Sequence, residues 1–392
     1  MGRALEVFLI FLRLGLTSFG GPIAHLGYFR HEFVERRKWL DDAAYADLVA
    51  LCQFLPGPAS SQVGFAVGLT RAGPLGAAAA WLGFTAPSAA LMIAAASGVF
   101  GLSNPHLIHG LKLVALAIVA HAVVGMARSL LTTPFRWSMA VLALALLIVT
   151  PAPMMAPFLI AGAGALGALR WVRRNDETTP PDAVAMVSGG RSWTLLVMVL
   201  IGALTLAVFA GQLDQPLLQM TAAMARTGLL VFGGGHAVLP LMEADVVGRG
   251  WLSADIFLAG YGFAQALPGP LFSFAAFVGA ASGQGIAGAI LVMTALFLPG
   301  LLLVAAALPL WRRLKRWPAA VGFVAGANAA VVGVLAAALY DPIYQSAVRG
   351  FGDLVLAAVG FAALQRLKAP SWAVVLGLGA AGWALSLAGF IG

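Results

Sequence analysis

The segment that decides the fold reads QFLPGP at residues 53–58, and it recurs as QALPGP at residues 265–270. Both copies lie inside long apolar stretches. Proline and glycine interrupt a helix, and an interrupted backbone at membrane depth is tolerated only where protein buries it or where it lines a water-filled cavity. Interrupted apolar segments at corresponding positions of two halves point to the binding site of a transporter. The repeated motif therefore predicts a transport site that both halves of the chain build together.

The composition is that of a membrane protein. Of 392 residues, 61% are hydrophobic and only 10% are charged, and the mean hydropathy is +0.94. The apolar runs are continuous rather than short and alternating, which argues against a transmembrane β-barrel. The 47 glycines and 21 prolines are typical of membrane helices that pack closely and are interrupted. We therefore predict an all-α polytopic membrane protein.

The charges indicate membrane topology rather than a nucleic-acid partner. The net charge is +8, but Lys and Arg lie mainly in short loops, where they orient the neighbouring spans. The sequence contains neither a Walker phosphate-binding loop nor an enzyme-like cluster of acid, base and nucleophile. His106 and His109 lack a third metal ligand nearby in the sequence. No enzyme activity, cofactor or metal site is therefore predicted.

The two PGP motifs belong to a longer internal repeat. The triplet RLG at residues 13–15 matches RTG at 226–228, and FGG at 19–21 matches FGG at 232–234. The matched segments keep their order and nearly keep their spacing, as an internal repeat requires. The chain is predicted to divide into an N-terminal transporter repeat at 1–172, a cytoplasmic linker with a connecting transmembrane helix at 173–215, and a C-terminal repeat at 216–392.

The loop charges indicate that the two repeats have opposite orientations. The loop after the first FGG is basic at residues 30–38, whereas its counterpart at 243–249 carries two acids and one arginine. Residues 101–106 contain no Lys or Arg, whereas their counterpart at 312–316 is basic. Because positive loops face the cytoplasm, this pattern predicts an inverted-topology repeat.

The same charge rule predicts that the interrupted segments enter and leave the membrane on one side. The first PGP segment becomes a re-entrant hairpin with arms near 43–55 and 59–71, and the second enters from the opposite face before 286–308 crosses inward. The FGG segments are predicted to be re-entrant as well, with single ordinary spans as the alternative. The chain then has about thirteen apolar segments, with its N-terminus in the cytoplasm and its C-terminus outside.

Two arginines stand inside apolar stretches at the same distance before an FGG motif: Arg13 and Arg226. An ionised side chain inside the membrane is costly and usually faces a cavity or a partner. One interpretation is a symmetric pair of cations that binds an oxyanion, because its oxygens suit the planar guanidinium. The alternative is that each side chain reaches an interface or pairs with a structural carboxylate. Lys112, early in another apolar segment, is expected near an interface.

Polar groups and glycines beside the motifs complete the predicted site. A helix that begins after a PGP motif directs its positive end and free N–H groups toward mid-membrane, which favours an anion, although the serines there also suit simple capping. The glutamines bind substrate or stabilise the break, and the glycines allow close approach of the backbone or of a neighbouring helix. The predicted substrate-binding residues are Arg13, Gly20, Gly21, Gln53, Pro56, Gly57, Pro58, Ser60, Ser61, Arg226, Gly233, Gly234, Gln265, Pro268, Gly269, Pro270 and Ser273.

These motifs resemble those of the chromate ion transporter family. The resemblance covers nearly the whole chain and is most specific from Arg13 through FGGP at 19–22, in ERRKWL at 35–40, and in the first PGP motif. The second FGG and PGP copies fit the long-chain, two-domain form of the family. The resemblance implies an inner-membrane protein that exports chromate by antiport, driven by the proton-motive force, and so confers chromate resistance.

Other functions stay open at the level of sequence. Chromate and sulfate are both tetrahedral dianions of similar size, and the residues themselves supply neither the substrate nor the direction or coupling of transport. An anion channel is the alternative in another class, and flux against a gradient would exclude it. The expected partners are the oxyanion, the lipid bilayer and a second copy of the chain in a homodimer.

Overall fold

The computed structural model describes residues 2–101, 104–150, 155–174, 198, 202, 215–314 and 317–389. Within these ranges every regular element is helical, which confirms the predicted all-α class. The predicted linker and connecting helix at 173–215 fall almost wholly outside the described residues. Among the described residues, four apolar helical stretches are long enough to cross a membrane, at Ala59–Ala96, Pro105–Leu130, Leu271–Leu310 and Pro318–Ala347, and shorter apolar helices accompany them. The protein is therefore built as a multi-pass membrane protein.

The helices of the N-terminal half are α1 Arg3–Thr17, α2 Gly21–Arg30, α3 Asp42–Phe54, α4 Ala59–Ala96, α5 Pro105–Leu130, α6 Pro134–Val149 and α7 Met155–Arg174. Those of the C-terminal half are α8 Pro216–Leu230, α9 Val238–Val246, α10 Ala254–Ala264, α11 Phe274–Gly279, α12 Gly285–Ala307, α13 Pro318–Ala338, α14 Phe351–Gln365 and α15 Ser371–Leu387. Short helical turns occupy His31–Arg36, Gly235–Ala237, Leu271–Ser273, Ala280–Gln284, Leu308–Leu310, Trp311–Leu314, Leu339–Tyr344 and Gln345–Ala347.

Both PGP motifs interrupt helices where the sequence predicts. Helix α3 ends at Phe54 and α4 begins at Ala59, close to the predicted arms. Proline cannot donate a helical hydrogen bond, and Gly57 has a positive φ of 122°, so the helix cannot continue through the motif. In the second motif Gly269 has a φ of 92°, and the same break separates α10 from the turn at Leu271.

The chain reverses direction after each PGP arm. Helix α4 contains a kink at Gly73, whose φ is 65°. Its two parts lie against each other, because a Cβ atom on Gly68 would be 2.3 Å from the carbonyl oxygen of Gly76. The second half has the same close approach, since a Cβ atom on Gly279 would be 2.4 Å from the carbonyl oxygen of Gly288. Helix α4 therefore consists of a short arm followed by a longer helix that returns beside it.

The second PGP motif closes a hairpin. The ring of Phe274 lies 5.1 Å from that of Phe257 and 5.8 Å from that of Tyr261, centroid to centroid. A Cβ atom on Gly260 would also touch the ring of Phe277. Residues of α10 thus contact residues that follow the motif, so the chain turns back on itself at the PGP break.

Glycines allow the long helices to cross closely. A Cβ atom on Gly15 would be 2.6 Å from the carbonyl oxygen of Phe84, where α1 crosses α4. A Cβ atom on Gly228 would be 2.1 Å from the carbonyl oxygen of Leu296, where α8 crosses α12. Small residues permit such contacts between membrane helices, whose association depends on close packing. The two crossings involve corresponding residues of the two repeats.

Candidate functional site

Each PGP turn is hydrogen-bonded to the opposite half of the protein. The backbone N–H of Gly57 donates to the carbonyl oxygen of Val231 at 2.8 Å, and that of Gly269 donates to the carbonyl oxygen of Ser18 at 3.0 Å. Ser18 and Val231 each immediately precede an FGG motif. These reciprocal bonds satisfy backbone groups that the broken helices leave without intrahelical partners.

The two FGG motifs also approach each other. A Cβ atom on Gly235 would lie 3.1 Å from Cγ of Pro22, which follows the first FGG, and 3.8 Å from Cδ2 of Leu271, which follows the second PGP. Backbone turns with positive φ, which favour glycine, occur in both motifs, at Gly20, Gly21, Gly233 and Gly234. The structure therefore brings both PGP turns and both FGG segments together between the halves.

The PGP turns also contact the long helices of the opposite half. A Cβ atom on Gly57 would be 3.2 Å from Cα of Gly300 in α12, and one on Gly269 would be 2.9 Å from Oγ of Ser88 in α4. Gln62 reinforces the first contact, because its Nε2 donates to the carbonyl oxygens of Pro56 at 2.8 Å and Gly300 at 3.0 Å. Gln62 is not among the predicted site residues, although it is a polar residue in an apolar helix just after the motif.

A buried histidine ties the first FGG segment to the start of α4. His25 Nε2 lies 3.2 Å from the carbonyl oxygen of Ser18, and Nδ1 lies 3.4 Å from Oγ of Ser60. A carbonyl accepts only, so Nε2 carries the proton in this contact, and Nδ1 of the neutral ring accepts from the Ser60 hydroxyl. The ring also packs edge-on against Phe84. His25 therefore fixes one of the predicted site serines.

Several buried polar atoms in this region have no hydrogen-bond partner among the described residues. From Ser18 to the end of α4 they are Ser18 Oγ, Ser61 Oγ, Gln62 Oε1, Arg71 Nε, Trp81 Nε1 and Thr85 Oγ1, and elsewhere they include Gln265 Nε2, Asn328 Oδ1 and His121 Nδ1. Burying an unsatisfied polar group costs free energy, and native proteins satisfy most of them. Hydroxyl and amide N–H groups are donors, so a bound oxyanion would satisfy the serines, the threonine and Gln265.

The guanidinium of Arg13 holds a carboxylate. Arg13 donates to Glu32 at 2.6 Å, and Glu32 also accepts from Arg37 at 2.6 Å and from Arg36 at 3.1 Å. Burial alone would raise the pKa of Glu32, but the hydrogen bonds from Arg37 and Arg36 and the charge of Arg13 lower the pKa below its ordinary value. Glu32 is therefore an ionised centre for three arginines.

The guanidinium of Arg226 makes the equivalent contact in the second half. It donates to both carboxylate oxygens of Asp245, at 2.5 and 2.6 Å, and Arg249 approaches Asp245 at 3.4 Å. The partner carboxylate is 19 residues further along the chain in both halves. The observed geometry is thus the structural-carboxylate alternative, and contact of Arg13 and Arg226 with substrate stays a prediction.

The remaining predicted residues differ in their surroundings. Gln53 is exposed, whereas Gln265 is half-buried with an amide nitrogen lacking a partner, so the two glutamines are not equivalent. Ser273 is buried in the short turn that follows the second PGP motif. Pro58, Pro268 and Pro270 are buried with their motifs.

The comparison with known proteins agrees with this arrangement of two similar halves. The family model described as chromate transporter matches residues 5–168 and again residues 218–383. The chain belongs to the chromate transporter family. The predicted family is therefore confirmed, and it is a family of transporters. No solved structure matches the chain significantly.

Relatives in the chromate transporter family span most of the chain. A chromate transport protein from Pseudomonas aeruginosa is 30% identical, over 96% of this chain and 91% of its own. A probable chromate transport protein from Synechococcus elongatus is 30% identical, over 84% of this chain and 82% of its own. A chromate transport protein from Cupriavidus metallidurans is 29% identical, over 93% of this chain and 88% of its own.

Proposed function

We propose that this protein is a secondary active transporter that carries chromate across the inner membrane through the site between its two halves. The observation that carries the proposal is the set of buried polar atoms without partners beside two interrupted helices. The relatives named as chromate transport proteins support chromate as the substrate.

The donors of the site suit a tetrahedral oxyanion. Each oxygen of such an ion accepts hydrogen bonds, and the hydroxyls of Ser61 and Thr85 and the amide of Gln265 are unused donors. Helix α4 begins directly after the first PGP motif, so its free N–H groups and positive end add to the attraction. These donors and the positive end of the helix can therefore bind an oxyanion away from water without a fully buried cation at the centre of the site.

We propose that the two halves are inverted repeats related by a two-fold axis in the membrane plane. The reciprocal bonds from Gly57 to Val231 and from Gly269 to Ser18 support a two-fold relation, as do the two matched ranges of the family model. The opposite loop charges support the inversion. The PGP segments are then re-entrant hairpins from opposite faces, in a topology of about thirteen apolar segments with a cytoplasmic N-terminus.

Labelling of introduced cysteines tests the inversion. Under the proposal a membrane-impermeant maleimide reacts with Lys38→Cys only in inside-out vesicles and with Glu243→Cys only in right-side-out cells. Reaction of both positions from the same side would show that the halves are not inverted.

In the proposed cycle Arg13 and Arg226 are the cations that an anion meets on entering from either face. Each guanidinium holds a carboxylate, so an oxyanion that reaches it exchanges with Glu32 or Asp245. Guanidinium geometry suits carboxylates and tetrahedral oxyanions alike, so the hydrogen bonds that the arginine loses to the carboxylate are replaced by similar ones to the oxyanion. We propose that the direction is export, driven by the proton-motive force, which gives resistance to chromate.

Flux in proteoliposomes with an imposed pH gradient tests this function. The proposal expects chromate to accumulate against its own gradient and to lose that accumulation when an ionophore collapses the pH difference. Uphill flux of sulfate without chromate would make the protein a sulfate transporter, and flux that only dissipates gradients would make it a channel. Transport at the full rate by both Arg13→Ala and Arg226→Ala would remove the arginines from the proposed site.

A further inference from the structure

A polar cavity of about 750 Å³ lies apart from the central site and is lined by none of the PGP or FGG residues. Its wall includes the beginnings of three helices, at Pro105 of α5, at Ser253 just before α10, and at Gly350 just before α14. The loops before α5 and α10 are the ones that the charge rule assigns to the outer face. The cavity is therefore placed to receive an anion from, or release it to, the side opposite the cytoplasm.

The three helix ends give the cavity a positive potential. Each helix N-terminus carries the equivalent of about half a positive charge, since its first N–H groups lack intrahelical partners. Side chains of Asn104, Ser253 and Asp353 accept some of these N–H groups, and the rest remain directed to the cavity end of each helix. Convergent helix ends alone do not define a site, but two cations accompany them.

Lys112 is the first cation, and its side chain is buried in the wall of the cavity. Its side chain is 1% exposed, and Nζ donates to Oδ1 of Asp255 at 2.7 Å and to the carbonyl oxygen of Ser346 at 2.8 Å. An ammonium group has three N–H donors. In the described part of the chain the third donor has no partner, although the group lines a cavity.

Arg349 is the second cation, and its side chain is exposed at the cavity. No described carboxylate forms an ion pair with its guanidinium. The nearby Asp353 is completely buried and already accepts from His109 Nε2 at 2.7 Å and from the backbone N–H groups of Arg349 and Gly350. The carboxylate of Asp353 therefore already accepts three hydrogen bonds, and no ion pair joins it to the guanidinium of Arg349 in the described structure.

The balance of charge in the cavity favours an anion. Asp255 is the carboxylate that faces the cavity, and it is already paired with Lys112. Arg349, the spare N–H of Lys112 and the three helix ends remain. We propose that this cavity is a second anion-binding site, which holds a small tetrahedral oxyanion at the predicted outer end of the transport path. This proposal rests on the proposed transport function in one respect, which is that the ligand is taken to be an oxyanion.

Protection of an introduced cysteine tests the proposal without measuring transport. Ile256 lines the cavity and is 37% exposed, and the single native cysteine, Cys52, is buried. In purified Ile256→Cys protein, sulfate at about ten times its dissociation constant is expected to slow maleimide labelling about tenfold, because occupied sites exclude the reagent. Chloride at equal ionic strength is expected to leave the rate unchanged. Ser97→Cys, at an exposed position outside the cavity lining, controls for effects of sulfate on the reagent.

Two matched arginine variants identify the cation. Arg349→Gln in the Ile256→Cys background is expected to raise the half-protecting sulfate concentration about tenfold, which is about 1.4 kcal/mol, because the variant loses a charge-assisted hydrogen bond to the anion. Arg366→Gln removes the same charge at the exposed opposite end of α14 and is expected to change nothing. Equal labelling in sulfate and chloride, or equal effects of the two variants, would overturn the proposal. Equilibrium binding of radiolabelled sulfate to the wild-type and Arg349→Gln proteins repeats the test without a cysteine.

These experiments can overturn the cavity proposal and the transport proposal independently. Loss of sulfate protection in a protein that still transports would remove the cavity proposal alone. Protection that persists in a protein without any flux would remove the transport proposal and keep the cavity as an anion site.

Discussion

Arg13 and Arg226 occupy the same position in the two repeats and bind carboxylates 19 residues ahead, but their surroundings differ. The Arg13 side chain is 51% exposed, and its partner Glu32 also binds Arg36 and Arg37. The Arg226 side chain is only 9% exposed, and that of Asp245 is 7% exposed. Glu32 itself is only 2% exposed, so the first half has a buried carboxylate shared by three partly exposed arginines, whereas both members of the pair in the second half are buried.

This difference indicates which arginine can exchange its partner. The charge of Arg13 is screened by water because its guanidinium is half-exposed, and the buried carboxylate of Glu32 keeps Arg36 and Arg37 when Arg13 leaves. A buried pair is costly to break, since a separated charge in a low-dielectric interior has lost its solvation. The Arg13 network can therefore yield to an incoming anion more easily than the Arg226 pair, which makes the first half the more adaptable one.

The largest expected effect is the loss of stability in Arg226→Ala. This variant leaves the buried carboxylate of Asp245 with Arg249 at 3.4 Å, and breaking a buried pair costs about 3–5 kcal/mol. In Arg13→Ala, Glu32 keeps Arg36 and Arg37, so the loss is expected to stay at about 0–1 kcal/mol. Thermal unfolding of the purified proteins in one detergent measures both. Equal losses would show that burial does not distinguish the two pairs.

The sequence predicted the interrupted helices and the two arginines, but not the contacts that join them. Proline and glycine act on their own backbone, so the breaks at both PGP motifs are readable locally. Glu32 and Asp245 lie on the helical segment that follows each FGG motif. Whether they pair with Arg13 and Arg226 depends on the angle at which that segment folds back. The hydrogen bond from Gly57 to Val231 depends on how the halves dock, which local patterns do not encode.

The next largest effects are expected when the two PGP glycines gain a side chain. Gly57→Ala and Gly269→Ala both place a Cβ atom at a positive φ, which costs about 1–3 kcal/mol each. Gly57→Ala is expected to lose more, because its Cβ atom would be 2.7 Å from Nε2 of Gln62 and would displace that amide from Gly300. The unfolding temperatures of the purified Gly57→Ala and Gly269→Ala proteins measure which variant is less stable.

A glycine without these constraints provides the control. Gly27 lies in α2 with nothing within 4 Å of an added Cβ atom, so Gly27→Ala is expected to stabilise the protein by about 0.5–1 kcal/mol. If Gly269→Ala unfolds at the same temperature as Gly27→Ala, the reciprocal bonds between the halves tolerate a side chain and the turns are not tightly constrained.

A smaller effect separates binding from stability at the start of α4. Ser61→Ala removes a buried hydroxyl that has no partner in the described structure. The free energy of unfolding of the protein without bound chromate is therefore expected to stay equal or rise. The same change removes a donor to the substrate and is expected to raise the half-saturating chromate concentration about tenfold. Ser60→Ala loses the contact with His25 and is expected to lower stability instead. A Ser61→Ala protein that transports with unchanged affinity would place the substrate elsewhere.

The smallest expected effect concerns the pH dependence of the Arg13 network. Glu32 has a pKa below its ordinary value of 4.5 in the folded protein, so the unfolded chain binds its proton more readily. The stabilisation from Glu32 is therefore fully present above pH 4.5 and is lost as the pH falls through the lower, folded pKa. In Glu32→Gln that contribution is absent at every pH, so the difference in unfolding temperature from wild type is expected to shrink on acidification. In the comparison variant Glu35→Gln the same trend is expected to be weaker, because His31 and Arg30 also lower the pKa of Glu35 but its side chain is exposed to screening by water. If the difference in unfolding temperature between Glu32→Gln and wild type stays constant below pH 4.5, Glu32 contributes by packing rather than by its charge. The exposure of the three arginines would then not explain how the first half differs from the buried Arg226 pair.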